Sequence, residues 1–173
     1  MKKWTKYIIV FLVVFVIRLI PFRAPNVEPI MAVIMPFSKK YKGVFTFAFG
    51  AFSIIFFDLI TSGLGIWTVI TSLAYGLVGY GATFYFKNRS GWKNYALYAI
   101  IAVILYDVIT GLTIGPLFFG VPFMVALVGQ IPFTALHLLG SVSFAIVLSP
   151  AIERWVMAEE KKVVSIPSAV KVS

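Results

Sequence analysis

Runs of about 20 apolar residues recur along this chain, and they constrain its fold more than any other feature. The long runs cover residues 4–20, 43–61, 66–86, 94–110 and 132–156. Only 12% of the residues are charged, whereas a soluble domain carries about 25%. The mean hydropathy is +0.99. Because a helix of about 20 apolar residues crosses the hydrocarbon core of a bilayer, the sequence predicts an integral membrane protein.

A shorter apolar segment, residues 27–37, is followed by a basic run that contains Lys39, Lys40 and Lys42. It is short for an upright crossing, so we expect it to be thin, tilted or partly extended. Counting it gives six spans, which leave about 53 of the 173 residues for loops and tails. The expected fold is therefore an all-α integral membrane protein with six transmembrane helices and no separate soluble catalytic domain.

Residues 111–131 carry no charge and are rich in helix breakers. The breakers in this stretch are Gly111, Gly115, Pro116, Gly120 and Pro122. We expect a cap or re-entrant turn over the helix bundle here, and a last helix that begins at Pro132, a residue that favours the first helical position. Residues 1–158 are predicted to form one transmembrane domain, and residues 159–173 a disordered, polar cytoplasmic tail.

The positive charges fix the predicted orientation. With six spans and both termini inside, 13 of the 15 Lys and Arg residues fall on the inner face, and only Arg18 and Arg23 fall outside. This asymmetry follows the positive-inside rule and predicts a multi-pass plasma-membrane protein with both termini in the cytoplasm. The net charge of +9 is therefore interpreted as contact with membrane lipid, and no nucleic-acid partner is predicted.

Two aspartates lie at the predicted outer ends of apolar spans. Residues 57–61 (FDLIT) and 106–110 (YDVIT) share the pattern aromatic-Asp-apolar-Ile-Thr, which places a threonine on the same helical face as each aspartate. An intramembrane carboxylate is costly and is a candidate for function. Each of Asp58 and Asp107 either belongs to a binding site or closes a helix end by binding a turn or an outer arginine.

The last span carries a stripe of small and polar side chains. Thr134, His137 and Ser141 follow the i, i+3, i+7 spacing of one helical face. In a lipid environment such a stripe faces inward, where it binds a ligand or another helix. His137, the chain's one histidine, is therefore either a ligand-binding residue or the partner in a hydrogen bond between helices.

The polar residues of the apolar spans converge at the predicted outer side. They are Arg23, Asn26, Glu28, Asp58, Asp107, Gln130, Thr134 and His137. Four aromatic residues near the same side can stack on a flat ligand: Trp67, Tyr75, Tyr106 and Phe133. Because the inner half of the spans has almost no ionisable group, the pattern predicts an outward-open binding pocket rather than a channel.

Several kinds of chemistry lack their sequence signatures. The chain has one histidine and no cysteine, whereas a zinc site needs three or four ligands. The sequence contains no phosphate-binding G-x-x-x-x-G-K-[ST] loop and neither a G-x-S-x-G nor an H-E-x-x-H motif. We therefore expect neither an enzyme nor a bound cofactor or metal.

The layout of the chain resembles that of the substrate-binding S components of energy-coupling factor (ECF) transporters over residues 4–158. Residues 129–134 (GQIPFT) are similar to the I-P-F-N-type entry to the last helix in riboflavin-type members, with Thr134 at the position of the asparagine and His137 near a lysine position. Residues 25–29 (PNVEP), the short second helix and a third helix from Gly43 to Asp58 also resemble the family.

The resemblance implies a six-helix protein that binds a vitamin or related micronutrient near the outer face. It places Asn26 and Glu28 on a lid and Gln130, Thr134 and His137 in the pocket. The partners that it implies are a transmembrane coupling subunit and two ATP-binding subunits. One feature differs from the family: residues 8–17 (IIVFLVVFVI) lack its A-x-x-x-A docking motif, so small residues on other helices are the alternative docking surface.

Two other functions remain open from the sequence. One is a small structural protein of a cell-envelope assembly, such as the machinery of cell-wall elongation. The other is a proton-coupled solute carrier, in which Asp58 or Asp107 binds the proton.

Overall fold

The computed structural model describes the backbone of residues 3–20, 28–41 and 43–157. Arg23, Asn26, which the resemblance places on a lid, and the polar tail predicted for residues 159–173 lie outside these ranges. Within them the regular secondary structure is helical. The helices are α1 (Lys3–Leu19), α2 (Ile30–Ser38), α3 (Gly43–Ile60), α4 (Ile66–Tyr85), α5 (Trp92–Gly111), α6 (Ile114–Phe118) and α7 (Phe123–Ile152), which continues into a π-helical turn (Glu153–Met157).

Three stretches of helix are long and apolar enough to cross a membrane. They are Gly43–Ile60, Trp92–Phe118 and Phe123–Val156, and only 22–33% of their most apolar windows is buried inside the protein. Most of this apolar surface therefore faces outward, where it suits lipid rather than water. The structure thus supports the predicted all-α fold and membrane character.

Helix α2 lies at the centre of the bundle. All nine of its residues are buried, and it packs against α3, α4, α5 and α7. The Ser149 hydroxyl of α7 donates a hydrogen bond to the Ala32 carbonyl of α2 over 2.8 Å. Nine residues extend only about 14 Å along a helix axis, so α2 fills about half of the depth of the bundle.

The two ends of the bundle differ in chemistry. At the end that we call the lysine end, Lys39 binds Glu153 and Ser90, and Lys6 donates to the Trp155 carbonyl over 3.1 Å. These contacts join α1, the C-terminal end of α2, the α4–α5 turn and the end of α7. At the opposite end, α3 and α5 finish just beyond Asp58 and Asp107, and we call it the carboxylate end.

Close approach of the backbones holds α3 against α4. A Cβ atom at Gly50 would lie 2.6 Å from the Tyr75 carbonyl oxygen, and one at Gly79 would overlap the Thr46 carbonyl oxygen. Small residues at such positions allow membrane helices to pack tightly through dispersion contacts. This packing fixes the position of Tyr75, which lies near the candidate site.

The start of the last helix differs from the sequence-based prediction. Helix α7 begins at Phe123 and continues through Pro132, so residues 123–131 are not part of a cap or re-entrant turn. A proline inside a helix removes one backbone hydrogen bond. In an apolar environment, however, a helix still satisfies the remaining backbone groups of residues 123–131. The glycines and prolines interrupt the helix before residue 123 instead: α5 ends at Gly111, the short α6 follows, and Gly120 adopts a φ of 64°.

Helix α7 extends past the end of α5 at the carboxylate end. Gly111, the last residue of α5, packs against the side chain of Gln130. The two turns of α7 that precede Gln130 therefore extend beyond α5, and Met124 and Val128 on them are 65% and 62% exposed. Helix α6 packs beside α5 and α7.

Candidate functional site

Asp107 lies at the centre of a buried hydrogen-bond cluster between α5 and α7. His137 Nδ1 lies 2.8 Å from Asp107 Oδ1, and the Thr134 hydroxyl donates to Asp107 Oδ2 over 2.6 Å. Gln130 Nε2 donates to the Thr134 hydroxyl oxygen over 3.3 Å. Only 1% of Asp107 and 2% of His137 is exposed. The structure thus brings together four predicted site residues, which we call the Asp107 cluster.

Two buried polar atoms beside this cluster make no hydrogen bond within the described part of the chain. They are His137 Nε2 and Ser141 Oγ, one helical turn apart on the same face of α7. Because a carboxylate only accepts hydrogen bonds, His137 donates to Asp107 through Nδ1–H, and its second ring nitrogen, Nε2, has no partner among the described residues. A buried polar group without a partner costs about 1–3 kcal/mol, so both atoms favour a ligand at this position.

A second buried cluster joins α1, the segment before α2, and α4. Arg18 Nη2 lies 3.1 Å from Glu28 Oε1, and the Tyr75 hydroxyl donates to Glu28 Oε2 over 2.6 Å. The guanidinium carbon of Arg18 lies 3.9 Å from the centre of the Phe57 ring. We call Arg18, Glu28 and Tyr75 the Arg18 cluster. Its salt bridge is shielded from solvent, since the Arg18 side chain is only 5% exposed.

Tyr106 connects the two clusters. Its ring centre lies 4.8 Å from that of Tyr75 and 5.5 Å from that of His137, and both contacts are edge-to-face. Its hydroxyl lies within electrostatic range of Glu28, Arg18, Asp107 and Asp58. The two clusters therefore belong to one polar region in the interior of the carboxylate half of the bundle.

The hydrogen bonds of Asp58 lie at the turn that joins α3 to α4. The Thr68 hydroxyl of α4 donates to Asp58 Oδ2 over 2.6 Å, and the Gly65 amide donates to the Thr68 hydroxyl oxygen over 3.2 Å. The Asp58 carbonyl also accepts the amides of Ser62 and Gly63. These bonds close the turn between α3 and α4, which favours the helix-end interpretation of Asp58 over the binding one.

The threonine that follows each aspartate does not bind its carboxylate. Thr61 donates to the Phe57 carbonyl over 2.7 Å, and Thr110 donates to the Tyr106 carbonyl over 2.9 Å. The carboxylate partners are instead Thr68 and Thr134, each on the helix that packs against the one that carries the aspartate.

Two aromatic residues proposed for stacking lie at the edge of the polar region or outside it. Phe133 is 39% exposed and contacts His137 edge-to-face, with ring centres 6.3 Å apart. Trp67 is 40% exposed and lies against Gly65.

The sequence analysis did not assign Arg18 to the site. Its position as a lone arginine within an apolar run is a signal that could have identified it, because such a residue seldom faces lipid and usually contacts other protein groups.

An apolar cavity lies elsewhere, between α1, α2 and α3. Its volume is about 230 Å³, and its lining consists of Tyr7, Ile8, Phe11, Phe37, Tyr41, Phe45 and Phe49. None of the predicted site residues lines it. Near it, aromatic rings of α1 contact rings of α3, with Phe11 against Phe49 at 6.3 Å and Phe15 against Phe56 at 5.2 Å.

The described polar region presents hydrogen-bonding side chains and aromatic rings. The Asp107–His137 pair resembles a base with its orienting carboxylate, but no described hydroxyl donates to His137 Nε2, as a nucleophile would. The described residues contain no group of three His, Cys, Asp or Glu side chains that could hold a metal.

Comparisons of the chain with models of known families, with characterised proteins and with solved structures find no match.

Proposed function

We propose that this protein is the substrate-binding membrane subunit of an ECF-type importer, which captures a vitamin or related micronutrient at the outer face of the plasma membrane. The observation that carries the proposal is the pair of buried, unpartnered atoms, His137 Nε2 and Ser141 Oγ, beside the Asp107 cluster. Placing a carboxylate inside a membrane protein costs free energy, so such a residue is a candidate for function. Here it orients an imidazole whose second nitrogen is open to a ligand.

The arrangement of α2 supports this proposal. Since α2 is nine residues long and begins two residues after Glu28, it occupies the lysine half of the bundle. The polar clusters lie in the carboxylate half. With six membrane-embedded helices and both termini in the cytoplasm, the carboxylate half opens to the outside, in agreement with the distribution of Lys and Arg along the sequence.

The proposal assigns the supply of energy to partner proteins. The printed sequence contains no phosphate-binding G-x-x-x-x-G-K-[ST] loop, and in this proposal ATP hydrolysis comes from two ATP-binding subunits joined through a transmembrane coupling subunit. In this proposal the chain itself supplies substrate selection.

Isothermal titration of the purified protein with a panel of vitamins tests this function. We expect one compound to bind with a Kd in the nanomolar range. The variants His137→Ala and Asp107→Asn should weaken that binding by about tenfold or more, because each removes or reorients a charge-assisted hydrogen bond. Asp58→Asn is the matched control and should leave the affinity unchanged. Unchanged affinity in both site variants would remove the pocket assignment.

A second candidate function is a proton-coupled solute carrier. The observation that favours it is the buried Asp107–His137 contact at 2.8 Å, because carboxylate–histidine pairs within membranes serve as proton relays. Reconstitution in liposomes without ATP-binding subunits separates the two functions. Uptake driven by a pH gradient alone, and abolished by Asp107→Asn, would favour the carrier over the importer subunit.

A further inference from the structure

We propose that the apolar cavity between α1, α2 and α3 binds an anionic phospholipid from the leaflet at the lysine end, with part of one acyl chain in the cavity and the phosphate on Lys40. None of the lining residues belongs to the Asp107 cluster or the Arg18 cluster. The site is therefore separate from the polar region, and the inference does not depend on the proposed function. It depends on the lining of the cavity, its position in the bundle and the charge at its rim.

The lining of the cavity suits a hydrocarbon chain. Six of its seven side chains are aromatic, and the seventh is Ile8. Its volume of about 230 Å³ exceeds the roughly 150 Å³ of an engineered apolar cavity that stays free of water and binds benzene. Hydrocarbon that fills such a cavity is stabilised because the lining atoms gain dispersion contacts that an unfilled cavity lacks.

The cavity meets the surface of the bundle between α1 and α3. Two lining residues, Ile8 and Phe45, are 56% and 50% exposed, whereas Phe37 of α2 is buried. Since α3 is long and apolar enough to cross a membrane, this surface faces lipid. Phe45 and Phe49 lie one helical turn apart on α3, about 6 Å along its axis. The cavity therefore extends along the helices, in the direction that an acyl chain follows in a bilayer.

Lys40 places a positive charge at the rim of this cavity. Its Nζ donates a hydrogen bond to the Tyr7 hydroxyl over 2.6 Å and lies 5.1 Å and 5.2 Å from the ring centres of Tyr7 and Tyr41. Both tyrosines line the cavity. An ammonium group beside an apolar cavity matches a phospholipid, which carries its phosphate at the end of its acyl chains. Basic pockets between membrane helices bind anionic headgroups in this way.

The charge of the lysine end favours an anionic headgroup over a zwitterionic one. Residues 38–42 (SKKYK) contain three lysines. In the order of the helices, 13 Lys and Arg residues of the whole sequence fall at this end, against three acidic residues, Glu153, Glu159 and Glu160. This count includes the residues outside the described ranges. Ion pairs within the chain therefore cannot neutralise the lysine end, which attracts anionic lipid.

Native mass spectrometry of the purified full-length protein tests the headgroup preference. We would titrate it with dioleoylphosphatidylglycerol and with dioleoylphosphatidylcholine, which share their acyl chains and differ in net charge. We expect the first phosphatidylglycerol to bind at least about fivefold more tightly than the first phosphatidylcholine, the effect of one lysine near the headgroup. Equal affinity for the two lipids, or tighter binding of phosphatidylcholine, would overturn the inference.

A pair of lysine variants connects the preference to Lys40. Lys40→Gln should lower the affinity for phosphatidylglycerol by about fivefold and leave that for phosphatidylcholine unchanged. Lys87→Gln is the matched control, because Lys87 is exposed at the same end and does not line the cavity. Since both lipids are measured on each variant, the ratio of the two affinities reports headgroup selection separately from folding. Equal ratios in the two variants would contradict the assignment of the phosphate to Lys40.

A second pair of variants tests the cavity itself. Ile8→Trp places a larger side chain where the cavity opens, and Val13→Trp makes a similar change at a 50% exposed position of α1 outside the lining. We expect Ile8→Trp to weaken the binding of phosphatidylglycerol at least about fivefold through overpacking, and Val13→Trp to leave it unchanged. The same affinity in both variants would overturn the inference. So would a dimer of this chain that Ile8→Trp dissociates without a change in lipid binding, because the cavity would then hold a second copy.

Discussion

Asp107 and Asp58 occupy equivalent positions in similar sequence segments, yet their carboxylates have different hydrogen-bond partners. Asp107 accepts hydrogen bonds from Thr134 and His137, and Asp58 accepts one from Thr68. The equivalent segments could be predicted from the pattern FDLIT and YDVIT. The difference could not, because it depends on which residues the neighbouring helix places opposite each carboxylate.

The difference between the two aspartates predicts a difference in stability. Asp107→Asn should lower the free energy of unfolding by about 2–4 kcal/mol, because it weakens two hydrogen bonds to a charged group. Asp58→Asn should cost about 1–2 kcal/mol, because it weakens one such bond. Thermal unfolding of the two variants in the same detergent checks the order. An equal loss, or a larger loss for Asp58→Asn, contradicts the assigned roles.

Ser141 provides a test that separates binding from folding. Because its buried hydroxyl has no hydrogen-bond partner, Ser141→Ala removes a polar group that adds nothing to folding, and the melting temperature should stay the same or rise. The affinity for the ligand should fall by about fivefold to tenfold, the effect of one hydrogen bond. A lower melting temperature with unchanged affinity would show that the hydroxyl has a structural role.

Part of the site could be predicted from individual residues. The i, i+3, i+7 spacing placed Thr134, His137 and Ser141 on one face of a helix, as the structure shows. Arg18 was not predicted as a site residue because its partner, Glu28, lies on a different element. Which side chains meet across elements depends on how the helices pack, and a single sequence does not specify that packing.

At the scale of elements, α3 packs closely against α4 because glycines, which have no side chain, lie between the two helices. A Cβ at Gly50 would lie 2.6 Å from the Tyr75 carbonyl oxygen, whereas one at Gly129 would meet nothing within 4 Å. Gly50→Ala should therefore destabilise the protein by about 1–3 kcal/mol through overpacking. Gly129→Ala, the matched control, should be neutral or stabilise α7 by up to about 1 kcal/mol. Similar melting temperatures for the two variants would contradict the close packing.

The boundaries of most helices followed from the apolar runs and their breakers, but that of α7 did not. Pro132 signals a helix start in soluble proteins, and the structure instead places it ten residues into a helix that begins at Phe123. The competing effect is the cost of leaving backbone groups unpaired in an apolar environment. The burial of α2 on all sides likewise depends on its neighbours rather than on its own apolar sequence.

At the scale of the whole molecule, the proposal requires the carboxylate end to face outward. The chain contains no cysteine, so single cysteines report accessibility without background. Ser62→Cys, in the exposed turn at the carboxylate end, should react with a membrane-impermeant maleimide in intact cells. Asn88→Cys, in the exposed turn at the lysine end, should react only after the membrane is permeabilised. The reverse pattern would contradict the proposed orientation.

The central claim is that the carboxylate half of the bundle holds a small molecule against His137. Mass spectrometry of the small molecules released from the purified protein tests this claim most directly, with His137→Asn prepared in parallel. We predict one compound in near-stoichiometric amount from the unmodified protein and little of it from the variant, at equal melting temperatures. Release of no compound from the unmodified protein, or of equal amounts from both, would contradict the claim.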